Sequence, residues 1–304
     1  MSDFLKFEDD TESDQPKDDL TGISGHVPFS SLYDDKEEFR NERLDHYFRR
    51  NPIVSWLKMM FPHIKLVSVT SIFMLFLLVV YVIEMIFWFN ENHWSCVTYR
   101  FGSNYTPAIQ RWNLHRLICP GFLHNDIPHL GWNLFVLAAF GMNAEYYLGT
   151  TVYWALLGIW ILVGNTFTAA FRSNLNNQSM GSSVSIMGVI GFELIWAIFN
   201  LKKMNNSKWL YLLYFCTIFA TTILGTFVSG NIVEFWGHLG GFVSGICLTW
   251  FFFKEVLKYD IMDSGRFAFI LVLSVLFAVA VITIFFRDTS KCYDNLCDKK
   301  LDLY

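Results

Sequence analysis

Five polar side chains stand near the starts of three otherwise apolar stretches. They are His129 and Asn133 in "HLGWN", Ser182 and Ser183 in "GSSVSIMG", and His238 in "FWGHLGGFVSG". A neutral imidazole beside a hydroxyl takes its proton as the oxygen attacks a carbonyl, so a paired Ser and His make an activated nucleophile. The oxyanion formed in that attack needs donors. The His129 and Asn133 side chains are of the right kind, and so are backbone N–H groups at the start of the helix after Gly181. Polar groups at membrane depth are costly without a partner, and those that persist face the protein interior or a water-filled cavity.

The elements that position these residues are transmembrane helices. Of 304 residues, 53% are hydrophobic and only 16% are charged, well below the quarter usual in soluble domains. Seven runs approach the ~20 residues needed to cross a hydrocarbon core: 65–89, 129–148, 151–171, 183–201, 209–228, 234–253 and 267–286. The expected fold is therefore an all-α polytopic membrane protein. Its even-numbered spans run in one direction, which places His129, Asn133, Ser182, Ser183 and His238 at one level. Gly237, Gly241 and Gly245 recur every four residues on the sixth span, and Gly181, Gly188 and Gly191 offer small positions on the fourth. Small residues at this spacing let helix backbones approach closely in lipid, which would bring His238 within reach of a serine.

Plainer readings stand beside this one. Ser182 and Ser185 are expected to act as helix caps, and the glycine stripes by themselves argue for packing only. Glu193 lies about 15 Å below Ser183 at 1.5 Å per residue, too far to orient His238; a buried structural partner or a water-lined pocket are its two readings. His124 stands five residues from His129 and does not share its helical face; it reads as a residue that serves the loop or shapes the entrance. His124, His129 and His238 could in principle gather a zinc, but no HExxH or equivalent spacing is present and Asn133 is a poor ligand. A transporter or channel would call for more intramembrane charge, broken helices or repeat symmetry. Nothing basic enough for nucleic acid is present.

Basic residues cluster before the first span (Arg40, Arg43, Arg49, Arg50, Lys58, Lys65), between the fourth and fifth (Lys202, Lys203, Lys208) and between the sixth and seventh (Lys254, Lys258, Arg266). These segments share one side, and the positive-inside rule assigns it to the cytosol. The N-terminus is then cytosolic and the C-terminus outward. Residues 1–50 read as a disordered acidic tail, 51–64 as an amphipathic interfacial segment, 65–253 as a six-helix core, and 254–304 as a seventh helix with a short outward tail. Four of the six cysteines (Cys96, Cys119, Cys292, Cys297) fall outward, where disulfides form. A Cys292–Cys297 bridge is the one to expect, and pairing in the loop is left open. Cys216 and Cys247 should be buried apolar residues. Asn104 in "NYT" reads as an outward glycosylation sequon, and Asn177 in "NQS" as one too near the bilayer to be reached.

"HNDIPHLGWN", "GSSV" and "HLGGFVSG" together resemble the three signatures of rhomboid intramembrane serine proteases, and "EYYLG" resembles that family's Glu–x–x–Leu–Gly stretch. The resemblance implies a rhomboid-like six-helix bundle with an added seventh transmembrane helix, as in eukaryotic secretory-pathway members. Ser183 would be the nucleophile and His238 the general base, with no third acid. His129, Asn133 and the Ser183 N–H would form the oxyanion hole. Gly181, Gly237, Gly241, Gly245 and Glu145 would be structural, and no metal or other cofactor is implied. Val184 stands where the family usually has glycine and Met187 where many members have an aromatic residue. The implied function is a serine endopeptidase that cuts single-pass transmembrane proteins in the lipid bilayer of the secretory pathway or plasma membrane. The alternative is an inactive relative that binds and routes membrane proteins.

Overall fold

In the computed structural model the described residues are 60–297, apart from 62, 64, 66, 92, 202–207, 229–234 and 253–262. The acidic tail and nearly all of the interfacial segment expected at 51–64 lie outside them. The helices are α1 (Val69–Glu91), α2 (Trp94–Arg100), α3 (Thr106–Gln110), α4 (Ile127–Val136), α5 (Met142–Leu148), α6 (Thr150–Phe171), α7 (Ser183–Asn200), α8 (Lys208–Val228), α9 (Phe235–Phe252) and α10 (Asp263–Phe286). No β-strand occurs among the described residues; a lone antiparallel bridge joins Asn104 and Ser179.

Six helices are long and apolar enough to cross a membrane: Val69–Asn90, Thr150–Phe171, Ser183–Asn200, Lys208–Gly225, Phe235–Phe252 and Phe267–Phe286. The chain is thus an all-α polytopic membrane protein. The span expected at 129–148 departs from a plain helix. Its path from Ile127 to Leu148 is helical, roughly 33 Å at 1.5 Å per residue, but a π-helical turn at Leu137–Gly141 separates α4 from α5. Such a turn inserts a residue and rotates the helix beyond it, so the polar end carrying His129 and Asn133 faces differently from the end carrying Asn143 and Glu145.

Burial sorts the helices. In α7, 72% of the spanning window is buried, against 22% in α1 and 17% in α10; α7 is therefore central and the other two peripheral. Leu75, Phe76, Val79, Val82 and Ile86 of α1, and Leu271, Val275 and Val279 of α10, are exposed, which suits surfaces turned to lipid rather than to water. Cys216 of α8 is likewise exposed, contrary to expectation, while Cys247 is buried. α10 packs on α6 and α9.

The segment between α1 and α4 is tied down as firmly as a helix. Arg172 is fully buried and donates to the carbonyls of Thr168, Asn104 and Asn177 and to Asn104 Oδ1. Asn104 Nδ2 donates to Asn165 O at 2.8 Å. Asn104 is therefore no glycosylation acceptor in the folded chain: it is completely buried, with both side-chain atoms engaged. Asn177, in contrast, is exposed. The tail after α10 lies across the same segment. Tyr105 Oη donates to Tyr293 O at 2.7 Å, Gln110 Nε2 to Ile284 O and Arg287 O, and Arg111 pairs with Asp294 at 2.5 Å. The disulfide joins Cys96 to Cys297, with Cα atoms 4.5 Å apart, and Cys292 is free. The expected Cys292–Cys297 bridge is thus replaced by a long-range one, because the tail folds back on α2.

At the opposite end of the bundle, Glu145 holds the start of α1. Its carboxylate accepts the N–H groups of Val69 and Thr70 and the Thr70 hydroxyl, each at 2.8 Å, satisfying first-turn donors that no helix carbonyl can reach. Replacing Glu145 with alanine is expected to cost about 3 kcal/mol, since several buried donors lose a charged acceptor. Thermal unfolding in detergent measures it, and a melting temperature equal to wild type would contradict this role.

Candidate active site

The loop before α7 turns at Gly181, whose φ of 138° favours a residue without Cβ. Its N–H donates to Pro120 O at 2.9 Å. Ser182 comes next, at the cap position, but makes no side-chain cap bond. Its carbonyl instead receives the Ser185 and Ile186 N–H groups and the Ser185 hydroxyl. The expected serine caps are therefore not made through Ser182 Oγ. Ser183 opens α7.

His238 lies in the first turn of α9, and its Nε2 is 2.8 Å from Ser183 Oγ. Both residues are buried, 4% and 5% exposed. The glycines explain the approach. A Cβ on Gly241 would lie 2.0 Å from Val184 O, one on Gly245 would lie 2.2 Å from Gly188 O, and one on Gly191 would lie 2.6 Å from Phe242 O. The α7 and α9 backbones touch there with no room for a methyl group. Gly188 serves a second contact, because its missing Cβ makes room for the Trp160 ring. Val184 turns its branched side chain toward Gly164 and Gly237, and Met187 is buried beside Gly241.

α4 brings the other two residues. Pro at its first turn and Asp126 at its cap set the helix start, with the His129 N–H donating to Asp126 Oδ1 at 2.7 Å. The His129 ring lies beside Gly181. A point one Cβ bond above Gly181 is 3.1 Å from His129 Nε2 and 3.3 Å from Ser183 Oγ. Asn133 is buried one turn below. Ser183, His238 and His129 thus converge, and Asn133 lies at one remove from them, against His124. Glu193 does not join them: it is fully buried, with Asn143 Nδ2 donating at 2.6 Å and Tyr211 Oη at 2.9 Å. Of its two readings, the buried structural partner is the one found. Among the described residues no group of three or more His, Cys, Asp or Glu side chains is arranged to hold a metal.

One site residue escaped the sequence reading. His124 is fully buried, with Nε2 at 3.0 Å from Asn133 Nδ2 and 3.3 Å from Ser182 Oγ. Spacing on a helix was the wrong test for it, because the helix begins only at Ile127; His124 sits on the loop that doubles back over the start of α7. Burial, with the neighbouring His129 ring as a second cause, holds its imidazole down to about 3.

Two outcomes are expected from this packing and burial. Gly245→Ala should cost about 2–3 kcal/mol, because backbone rather than a side chain has to yield. Gly225→Ala, with nothing within 4 Å of the new methyl, should be tolerated; equal unfolding temperatures for the two variants would refute the backbone contact. A buried histidine that stays neutral while its unfolded form protonates near 6.5 makes stability fall as pH drops below that value and onward toward 3. The loss is about 1.4 kcal/mol per pH unit. The fall in unfolding temperature between pH 7 and pH 5 should be shallower in His124→Phe than in wild type.

Comparison with known proteins meets the same residues. A family model described as Rhomboid domain matches residues 111–255. The "Rhomboid-like protease 3" of Toxoplasma gondii is 29% identical over 161 residues, 51% of this chain and 58% of the relative. "Rhomboid-like protease 1" of the same organism is 24% identical over 217 residues, 68% of this chain and 71% of the relative. "Rhomboid-type serine protease 2" of Emericella nidulans is 29% identical over 149 residues, 47% of this chain and 27% of the relative. The chain thus spans less than two thirds of the first of these relatives. The domain match covers Ser183, His238, His129 and Asn133, and with these relatives it supports a place for this chain in the rhomboid family.

Proposed function

We propose that the chain is an intramembrane serine endopeptidase that cuts single-pass transmembrane proteins within or beside their membrane segment. The observation that carries this reading is the 2.8 Å contact between Ser183 Oγ and His238 Nε2 in a buried setting. Ser183 Oγ attacks the scissile carbonyl carbon while its proton passes to His238 Nε2. The carbonyl oxygen, now negative, occupies the space over Gly181. There it receives hydrogen bonds from His129 Nε2, the Asn133 amide and the Ser183 N–H, one of the first-turn donors left open by the helix. When the C–N bond breaks, His238 returns the proton to the leaving amine, and water then releases the acyl group by the same steps in reverse order of roles. A substrate helix has to unwind to present its carbonyl, so Gly or Pro near the cut favours cleavage.

The same reading puts the dyad end of the bundle outside the cytosol, in the secretory pathway or at the plasma membrane. Two observations support it: the Cys96–Cys297 disulfide on that end, suited to an oxidising compartment, and the pattern of basic residues along the sequence.

Ser183→Ala is expected to lower cleavage of a reconstituted transmembrane substrate by at least ~10³-fold. Labelling by a serine-directed fluorophosphonate should vanish in both Ser183→Ala and His238→Ala, and chelators should leave cleavage unchanged. Cleavage by Ser183→Ala at the wild-type rate would end the proposal.

A further inference from the structure

The loop that carries Ser183 into α7 is held by more than its own turn. Asn104 and Ser179 exchange backbone hydrogen bonds of 2.9 and 3.1 Å, which fasten it to the outer segment. Gln178 stands between Ser179 and Asn177, whose carbonyl Arg172 takes, and five residues before the nucleophile. Its amide is engaged at both ends. Nε2 donates to Ser95 O at 3.1 Å and to Thr98 Oγ1 at 2.8 Å, and Oε1 accepts the Ser103 hydroxyl at 2.5 Å. The Thr98 hydroxyl donates to Trp94 O and so keeps a lone pair for Gln178. An amide turned the other way would set its oxygen against the Ser95 carbonyl, so one orientation is fixed.

Ser95 and Thr98 belong to α2, and between them lies Cys96, the residue joined to Cys297 of the tail. A helix of seven residues does not hold its shape or place by itself. What grips α2 therefore sets where Gln178 can dock, and the covalent bond to the tail is the strongest of those grips. The tail also reaches the loop directly, the Tyr293 N–H donating to Asn176 Oδ1 at 3.2 Å. A continuous path thus runs from the tail through the disulfide and α2 to Gln178, and onward along the chain through Gly181 to Ser183.

We propose that Gln178 is a positioning residue of the nucleophile loop: it ties Ser183 and its N–H to α2 and, through the Cys96–Cys297 bond, to the C-terminal tail. The inference rests on the reading of Ser183 as the nucleophile. α9 fixes α7 from within the bundle by backbone contact, whereas Gln178 fixes the loop from outside, with Gly181 and Ser182 between the two holds. Losing the outer hold lets the loop shift without parting α7 from α9, and a displacement of about 1 Å at a reacting group can cost ~10² in rate. The disulfide then acts at a distance. A dithiol that gives it two electrons and two protons, itself becoming a disulfide, leaves two thiols and a looser α2.

Gln178→Met keeps the volume and removes all three bonds. With a fluorogenic substrate bearing a Gly-rich transmembrane segment in proteoliposomes, kcat should fall about tenfold with KM within about twofold. Labelling of Ser183 by a fluorophosphonate should slow by the same factor. Ser103→Ala, which removes one bond of the three, should give a smaller fall in the same direction, and keeps the series readable if Gln178→Met folds poorly. The other four cysteines are free, so dithiothreitol acts on one disulfide. It should lower kcat about threefold to fivefold in wild type and less than about twofold in Gln178→Met, as expected of groups acting through one another. Backbone amides of residues 174–181 should exchange faster in Gln178→Met and after reduction, with those of α9 as in wild type. An unchanged kcat in Gln178→Met, a change in KM alone, or equal effects of dithiothreitol on both proteins would overturn the role. Absence of cleavage by wild type would instead count against the protease reading, with amide exchange still deciding whether Gln178 holds the loop.

Discussion

The approach of two helix backbones is the constraint on which the rest depends. α7 and α9 meet with Gly241 against Val184 O, Gly245 against Gly188 O and Gly191 against Phe242 O, every one closer than a methyl group permits. Lipid supplies no hydrophobic drive between helices, so contact of this kind comes from van der Waals packing at small residues. Its consequence is chemical. Ser183 and His238 are on different helices, and a separation larger by one methyl thickness would open the 2.8 Å contact between them. α6 completes the seam: Gly164 makes room for Val184, and Trp160 fills the space left by Gly188. Val184 is thereby accommodated between α6 and α9.

Four buried polar groups of the bundle obey one rule. Arg172, Asn104, Glu145 and Glu193 are buried and matched by several partners each, and each ties together parts distant in sequence. Arg172 ties the segment after α2 to the start of the α7 loop, Glu145 ties α5 to α1, and Glu193 ties α7 to α5 and α8. Such fully satisfied groups rigidify.

The range of the forces involved decides which features were legible in the sequence. The glycine period, the apolar runs and the placement of Ser183, His238, His129 and Asn133 at helix starts are local patterns, and the folded chain brings Ser183 and His238 within 2.8 Å with the His129 ring beside Gly181. The break at Leu137–Gly141 was hidden because an apolar run looks the same whether its hydrogen bonds close over four residues or five. The Cys96–Cys297 bridge, the burial of Asn104 and the seating of His124 all depend on where the tail and the outer segment fold back. No spacing rule reaches across such distances. Cys216 was misplaced for a different reason: in lipid an apolar residue gains little from the interior over the surface, so hydrophobicity alone does not decide which way it faces.

The two halves of the site are therefore positioned by different physics. His238 owes its place to backbone contact, which tolerates no added volume and responds little to charge. Asn133 owes its place to polar contact, its amide lying 3.0 Å from His124 Nε2, which is itself 3.3 Å from Ser182 Oγ. Packing defects should act on the first and proton placement on the second.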